Sequence, residues 1–193
     1  MKRLLMLSMI LLIVSTAQGH VSPPRMLMSD MEAVRQLLPD AQIFGQMDMK
    51  LTDAQRKEVK SMANWNPDEK VYKTFIGRDT QGKYRGAVMF IGEITVHGLV
   101  RLAIGVDAEG KVRGANVVAI TDEAYGWVKP LIVQGFMKQF VGKGHHDSFI
   151  EGERAAARRN SMPQFYGQVI ASLVQRCAVI CYVSDMQGKA AKS

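Results

Sequence analysis

Side chains able to do chemistry are few and scattered in this 193-residue chain. Histidine stands at His20, His97, His145 and His146, with Asp147 beside the last two, and thirteen methionines accompany them. Imidazole and thioether sulfur are suitable copper ligands, and a chain beginning at His20 would add an amine to a ring nitrogen. An exported copper-binding protein is therefore one reading. Against it, several methionines fall in the first residues and most others take helix or strand positions where they fill core. Adjacent histidines in a glycine-rich loop usually face water, so no metal ligand is assigned. Cys177 and Cys181 are four apart in an apolar segment with helical spacing. That spacing puts both on one face, where helix geometry disfavours an unstrained disulfide. Two small buried side chains are the simpler reading, and a redox pair is the alternative. No Gly-x-Ser-x-Gly, His-Glu-x-x-His or phosphate-loop motif occurs, which leaves no bond-making catalytic residue to name.

The chain opens with Met1-Lys-Arg3, an apolar run from Leu4 to Val14 and the small-residue stretch Ser15 to Gly19. These are the three regions of a secretory signal. Residues 1–19 are expected to direct export, to the periplasm or the outer side of the cytoplasmic membrane. The run is shorter than the roughly 20 residues of a permanent span. Residues 20–28 read as an extension, 29–183 as one domain and 184–193 as a tail. A formal charge of +7 loses two units with Lys2 and Arg3, leaving +5, spread widely apart from Arg154, Arg158 and Arg159. Nucleic acid is not an expected partner. A mildly basic surface suits an anionic membrane or an acidic redox protein instead.

The elements that must position any site follow from pattern. Ser29 caps an amphipathic helix ended by Pro39-Asp40, and Thr52 with Gln55 opens a second through about Met62. No other element is expected before Pro67. Strands are expected at Val71–Ile76, Tyr84–Ile91, His97–Val106 and Lys111–Ile120, the last two joined by a turn at Asp107-Ala-Glu-Gly110. Thr121 to Val128 reads as a strand end and loop, Leu131–Val141 as a helix, and Pro163 or Phe165 through Tyr182 as a final helix. Tight meander connections with flanking helices make an α+β fold with an antiparallel sheet.

An ordered set of these pieces resembles a known family. They are Leu38-Pro-Asp40, Lys70-Val-Tyr-Lys73, Tyr84-Arg-Gly-Ala-Val88, Gly105-Val-Asp-Ala-Glu-Gly-Lys-Val112, Glu123-Ala-Tyr-Gly126 and Gln139-Phe-Val-Gly-Lys143. Over roughly residues 30 to 182 the chain is similar to the extracytoplasmic FMN-binding domain. That domain occurs in the C subunit of the sodium-pumping NADH:quinone reductase and the G subunit of the Rnf complex. The resemblance implies an FMN-binding, electron-transferring protein beside a membrane redox complex. It places the isoalloxazine near Glu123, Tyr125, Gly126 and Trp127, with Gln139 in the following helix. Gly126 would permit a close turn and an aromatic side chain would cover the ring.

Family members usually esterify the FMN phosphate to the last Thr of a Ser/Thr-Gly-Ala-Thr motif at the start of the final helix. This chain reads Ser161-Met-Pro-Gln164 there, and Arg158-Arg159 stands where an acidic residue is usual. Gln164 has no hydroxyl to esterify. The implied cofactor is thus noncovalent FMN, its phosphate met by the helix N-terminus at Ser161 to Gln164 and by Arg158 or Arg159. A flavin-free scaffold of the same fold is the competing reading.

Overall fold

The computed structural model describes residues 23–149, 161–186 and 188. Alternating side chains of its longest strands feed two cores on opposite faces of one sheet. Val88 and Phe90 point one way with Ala103 and Val118, while Met89 and Ile91 point the other way with Leu102 and Ile104. In chain order the elements are β1 (Arg25–Met26), α1 (Asp30–Leu37), β2 (Ile43–Met49), α2 (Asp53–Ala63), β3 (Tyr72–Arg78), β4 (Tyr84–Thr95), β5 (Gly98–Asp107), β6 (Val112–Ile120) and α3 (Asp122–Val133). A 3-10 helix (Phe136–Phe140) and α4 (Met162–Val183) follow. The sheet is antiparallel throughout, in the order β1-β6-β5-β4-β3-β2. This is the expected α+β architecture, with a meander from β2 to β6.

One sheet face carries α1, whose Ala33, Val34 and Leu37 are buried. Ser29 caps it as expected, accepting from the Glu32 N–H at 3.2 Å. The helix sits close because β5 offers Gly105 beneath it: a Cβ there would lie 2.9 Å from that of Leu37. Carboxylates fasten both ends. Asp30 meets Lys73 at 2.8 Å and Arg101 at 2.9 Å, and Asp40 meets Arg85 at 2.8 Å and Arg113 at 2.6 Å. Burial alone would raise both carboxyl pKa values, but these basic partners outweigh it and hold them below the ordinary value.

The opposite face is covered chiefly by α4, with α2 and α3 against it. Length and composition would let α4 cross a membrane, yet 67% of its apolar window is buried inside the protein, as in a core helix. Cys177 and Cys181 lie buried on it, unbridged, with sulfurs 4.0 Å apart. The capping box at Thr52 and Gln55 forms as read.

Three expectations about elements need correction. β2 was not foreseen: Gly45 and Asp48 dilute its apolar pattern, and as an edge strand it buries only Met49. The region from Thr121 to Val128 is not a loop before a helix at Leu131, because α3 already starts at Asp122 and continues through Pro130 to Val133. Asp122 and Glu123 suit a first helical turn, where the helix dipole favours negative charge. Finally, the helix expected over Leu131–Val141 is not one element: α3 ends at Val133 and a separate 3-10 helix spans Phe136–Phe140 after Gly135, whose φ is +70°.

Candidate functional site

The tip of the β4–β5 hairpin, the start of α3 and the start of α4 meet at one end of the sheet. Thr121 closes β6 and donates its hydroxyl to the His97 carbonyl at 2.7 Å. Gly98 crosses beneath it with φ +101°, and a Cβ there would lie 2.4 Å from the Thr121 methyl. The contact fixes where α3 begins. From its first turn Glu123 reaches His97, whose Nδ1 lies 2.7 Å from Glu123 Oε1. Trp127, one turn on, packs edgewise on His97 at 4.8 Å and stacks on Tyr166 of α4 at 5.8 Å, with the two planes 15° apart. Tyr166 is buried, and its hydroxyl lies 3.1 Å from Thr95 Oγ1.

Of the residues expected to surround an isoalloxazine, Glu123, Tyr125, Gly126 and Trp127 therefore lie on one helix. Gly126 is exposed in open space without a positive φ, so the close turn expected of it is absent. The Arg25 guanidinium lies over the Tyr125 ring at 4.7 Å, and Tyr166 and His97 occupy Trp127. Gln139 is exposed and donates to the Phe136 carbonyl at 3.0 Å within the 3-10 helix. Arg158 and Arg159 lie outside the described residues.

Ser161 is the exposed N-cap of α4, and its side chain makes no capping hydrogen bond. Phe165 N–H donates to the Ser161 carbonyl at 3.1 Å, which leaves the earlier N–H of Met162 without an intrahelical acceptor. Pro163 has no N–H to offer. The first turn holds no acidic side chain. Gln164 is half-buried. A groove of about 580 Å³ runs from this end along α4, lined by Phe165 and Val169 on the helix and by Ile94 and Val96 of the hairpin. Its far end is closed by Glu93 and Arg176, which form an ion pair. Ile94 and Val96 are 82% and 90% exposed.

Sequence reasoning did not single out this groove, nor His97, Thr95 and Tyr166 as neighbours of α3. One signal was available: Ile94 and Val96 flank the Thr95 and His97 of a hairpin, apolar where a turn is normally polar.

Elsewhere, His145 stacks on Tyr182 at 3.5 Å beside His146. Burial, with the His146 charge, lowers its pKa. Asp147 accepts from the Gly144 N–H at 2.7 Å and so shapes the turn. Among the described residues no group of three His, Cys, Asp or Glu side chains is placed to hold a metal ion. No protein-family model matches the chain, and no curated protein matches it.

Proposed function

We propose that this is an exported electron-transfer protein that binds FMN without a covalent bond, beside a membrane redox complex and in contact with its membrane surface. The observation that carries the reading is the start of α4, an uncapped helix N-terminus adjoining an apolar groove of about 580 Å³. An FMN phosphate suits the N–H of Met162 at the helix start, where the helix dipole favours a dianion. The groove between Phe165, Val169, Ile94 and Val96 offers apolar shelter to a ring system. Gln164 supports the noncovalent form, since an amide cannot take the place of an ester-forming hydroxyl. Bound FMN would supply the one- and two-electron chemistry, and the chain would contribute binding, orientation and exclusion of water. The leader-like residues 1–19 support export, and the resemblance at Glu123 to Gly126 supports the electron-transfer role.

One observation favours the flavin-free scaffold instead. Tyr125 and Trp127 are already engaged by Arg25, His97 and Tyr166. Titrating the exported protein into FMN and following quenching of flavin fluorescence separates the two. Saturable quenching, with flavin released to the supernatant on acid precipitation, supports the carrier. Yellow precipitate would contradict the assignment of Gln164, and no quenching would favour the scaffold.

A further inference from the structure

Strand β4 is longer than both of its neighbours, and than β3 by far. It pairs with β5 from Gly86 to Thr95, but with β3 only as far as Thr74 opposite Met89. Beyond that pair β3 runs on to Tyr72 in register with β2, and a cleft of about 660 Å³ lies between the segment 65–73 and Phe90 to Ile94. The register between β3 and β4 ends at Thr74 and Met89, so no described strand pairs with β4 past Met89 on this side. Alternate N–H and C=O groups along these five residues, a length of roughly 17 Å at strand rise, therefore border the cleft rather than a neighbouring strand.

The outer wall of the cleft is pinned, so it does not collapse onto the edge. Arg56 of α2 donates to the carbonyls of Pro67 and Glu69, and the Arg176 guanidinium of α4 lies 4.7 Å from the Trp65 ring centroid. Exposed edges are ordinarily blunted by free charges or proline. Here the one charged residue in Phe90–Ile94 is Glu93, and Arg176 already holds it.

Charge selects the occupant. Lys73 and Arg101 are both spent on Asp30, whereas Asp68 and Glu69 make no ion pair among the described residues. Burial raises the Glu69 pKa and the Asp68 charge raises it further, so a cation in the cleft would be welcome to both.

We propose that the free edge of β4 from Phe90 to Ile94 binds an extended peptide segment carrying lysine or arginine, which adds as a further strand beside Asp68 and Glu69. Main-chain hydrogen bonds hold the segment, and the two carboxylates choose its side chains. The site stands independently of the flavin reading, and its test needs no flavin.

The test titrates the isotopically labelled full chain with the capped peptide Val-Lys-Val-Lys-Val, following amide exchange by NMR. Binding with slowed exchange at alternate amides of Phe90–Ile94 is expected. The Asp68→Asn, Glu69→Gln double variant should bind about fivefold or more weakly, in line with the loss of charge pairing. A glutamate version of the peptide, and one N-methylated at alternate backbone nitrogens, should not bind. Three results would overturn the proposal: no binding at millimolar peptide, unslowed exchange in Phe90–Ile94, or equal binding of the N-methylated peptide. Unchanged affinity of the double variant would overturn the assignment of a basic segment.

Discussion

Tyr166 ties the candidate site together. Its ring stacks on Trp127, its hydroxyl meets Thr95, and it is fully buried. Tyr166→Phe keeps the stack and removes one hydrogen bond, so it should cost about 1 kcal/mol in chemical denaturation, with the spectrum of Trp127 little changed. Phe165, its exposed neighbour, belongs to the groove. Phe165→Ala should leave stability within about 0.5 kcal/mol yet weaken FMN binding about tenfold, measured by fluorescence titration. The hydrogen bond to Cys181 comes first, then burial, in pushing the Cys177 thiol well above its ordinary pKa. Native protein should therefore leave Cys177 unmodified by a thiol reagent at pH 8, and both cysteines should react only after unfolding.

Among the elements, α1 has an attachment that depends on pH. Asp30 and Asp40 have folded pKa values lowered from the ordinary carboxyl value. Their contribution is present above the unfolded pKa, near 4, and is lost as pH falls through the lower folded values. Stability should thus fall below about pH 4, and the Asp30→Asn, Asp40→Asn double variant should show a shallower fall there. Gly105→Ala should destabilise by about 1 to 3 kcal/mol through crowding of Leu37. Thermal melts at several pH values check both.

The same elements show what the chain could disclose in advance. Local signals were legible: Ser29 and Thr52 caps, the turn at Gly110 with φ +78°, and the meander from β3 to β6. Signals dependent on tertiary packing were not. β2 is held by β3 rather than by its own pattern, and α3 hid behind Gly126 and Pro130, two residues that argue locally against a helix. In the candidate site, Glu123, Trp127 and Ser161 were named from the chain. Their neighbours Thr95 and His97 come from the β4–β5 hairpin and Tyr166 from α4, and they met Glu123 and Trp127 only through folding.

At the scale of the whole molecule, the sheet divides labour. One face is closed by α1 and its two carboxylate anchors, a structural side. The other carries α4, and the useful surfaces gather where that helix starts and where β4 outruns β3. Both surfaces share Glu93, Ile94 and Arg176, so a ligand in the groove and a strand in the cleft would lie next to each other. The most direct measurement is fluorescence titration of FMN with the exported full chain, followed by acid precipitation. Saturable quenching with a one-to-one end point, and all flavin in the supernatant, is the expected result. Absence of quenching, or flavin retained in the precipitate, would contradict noncovalent FMN binding.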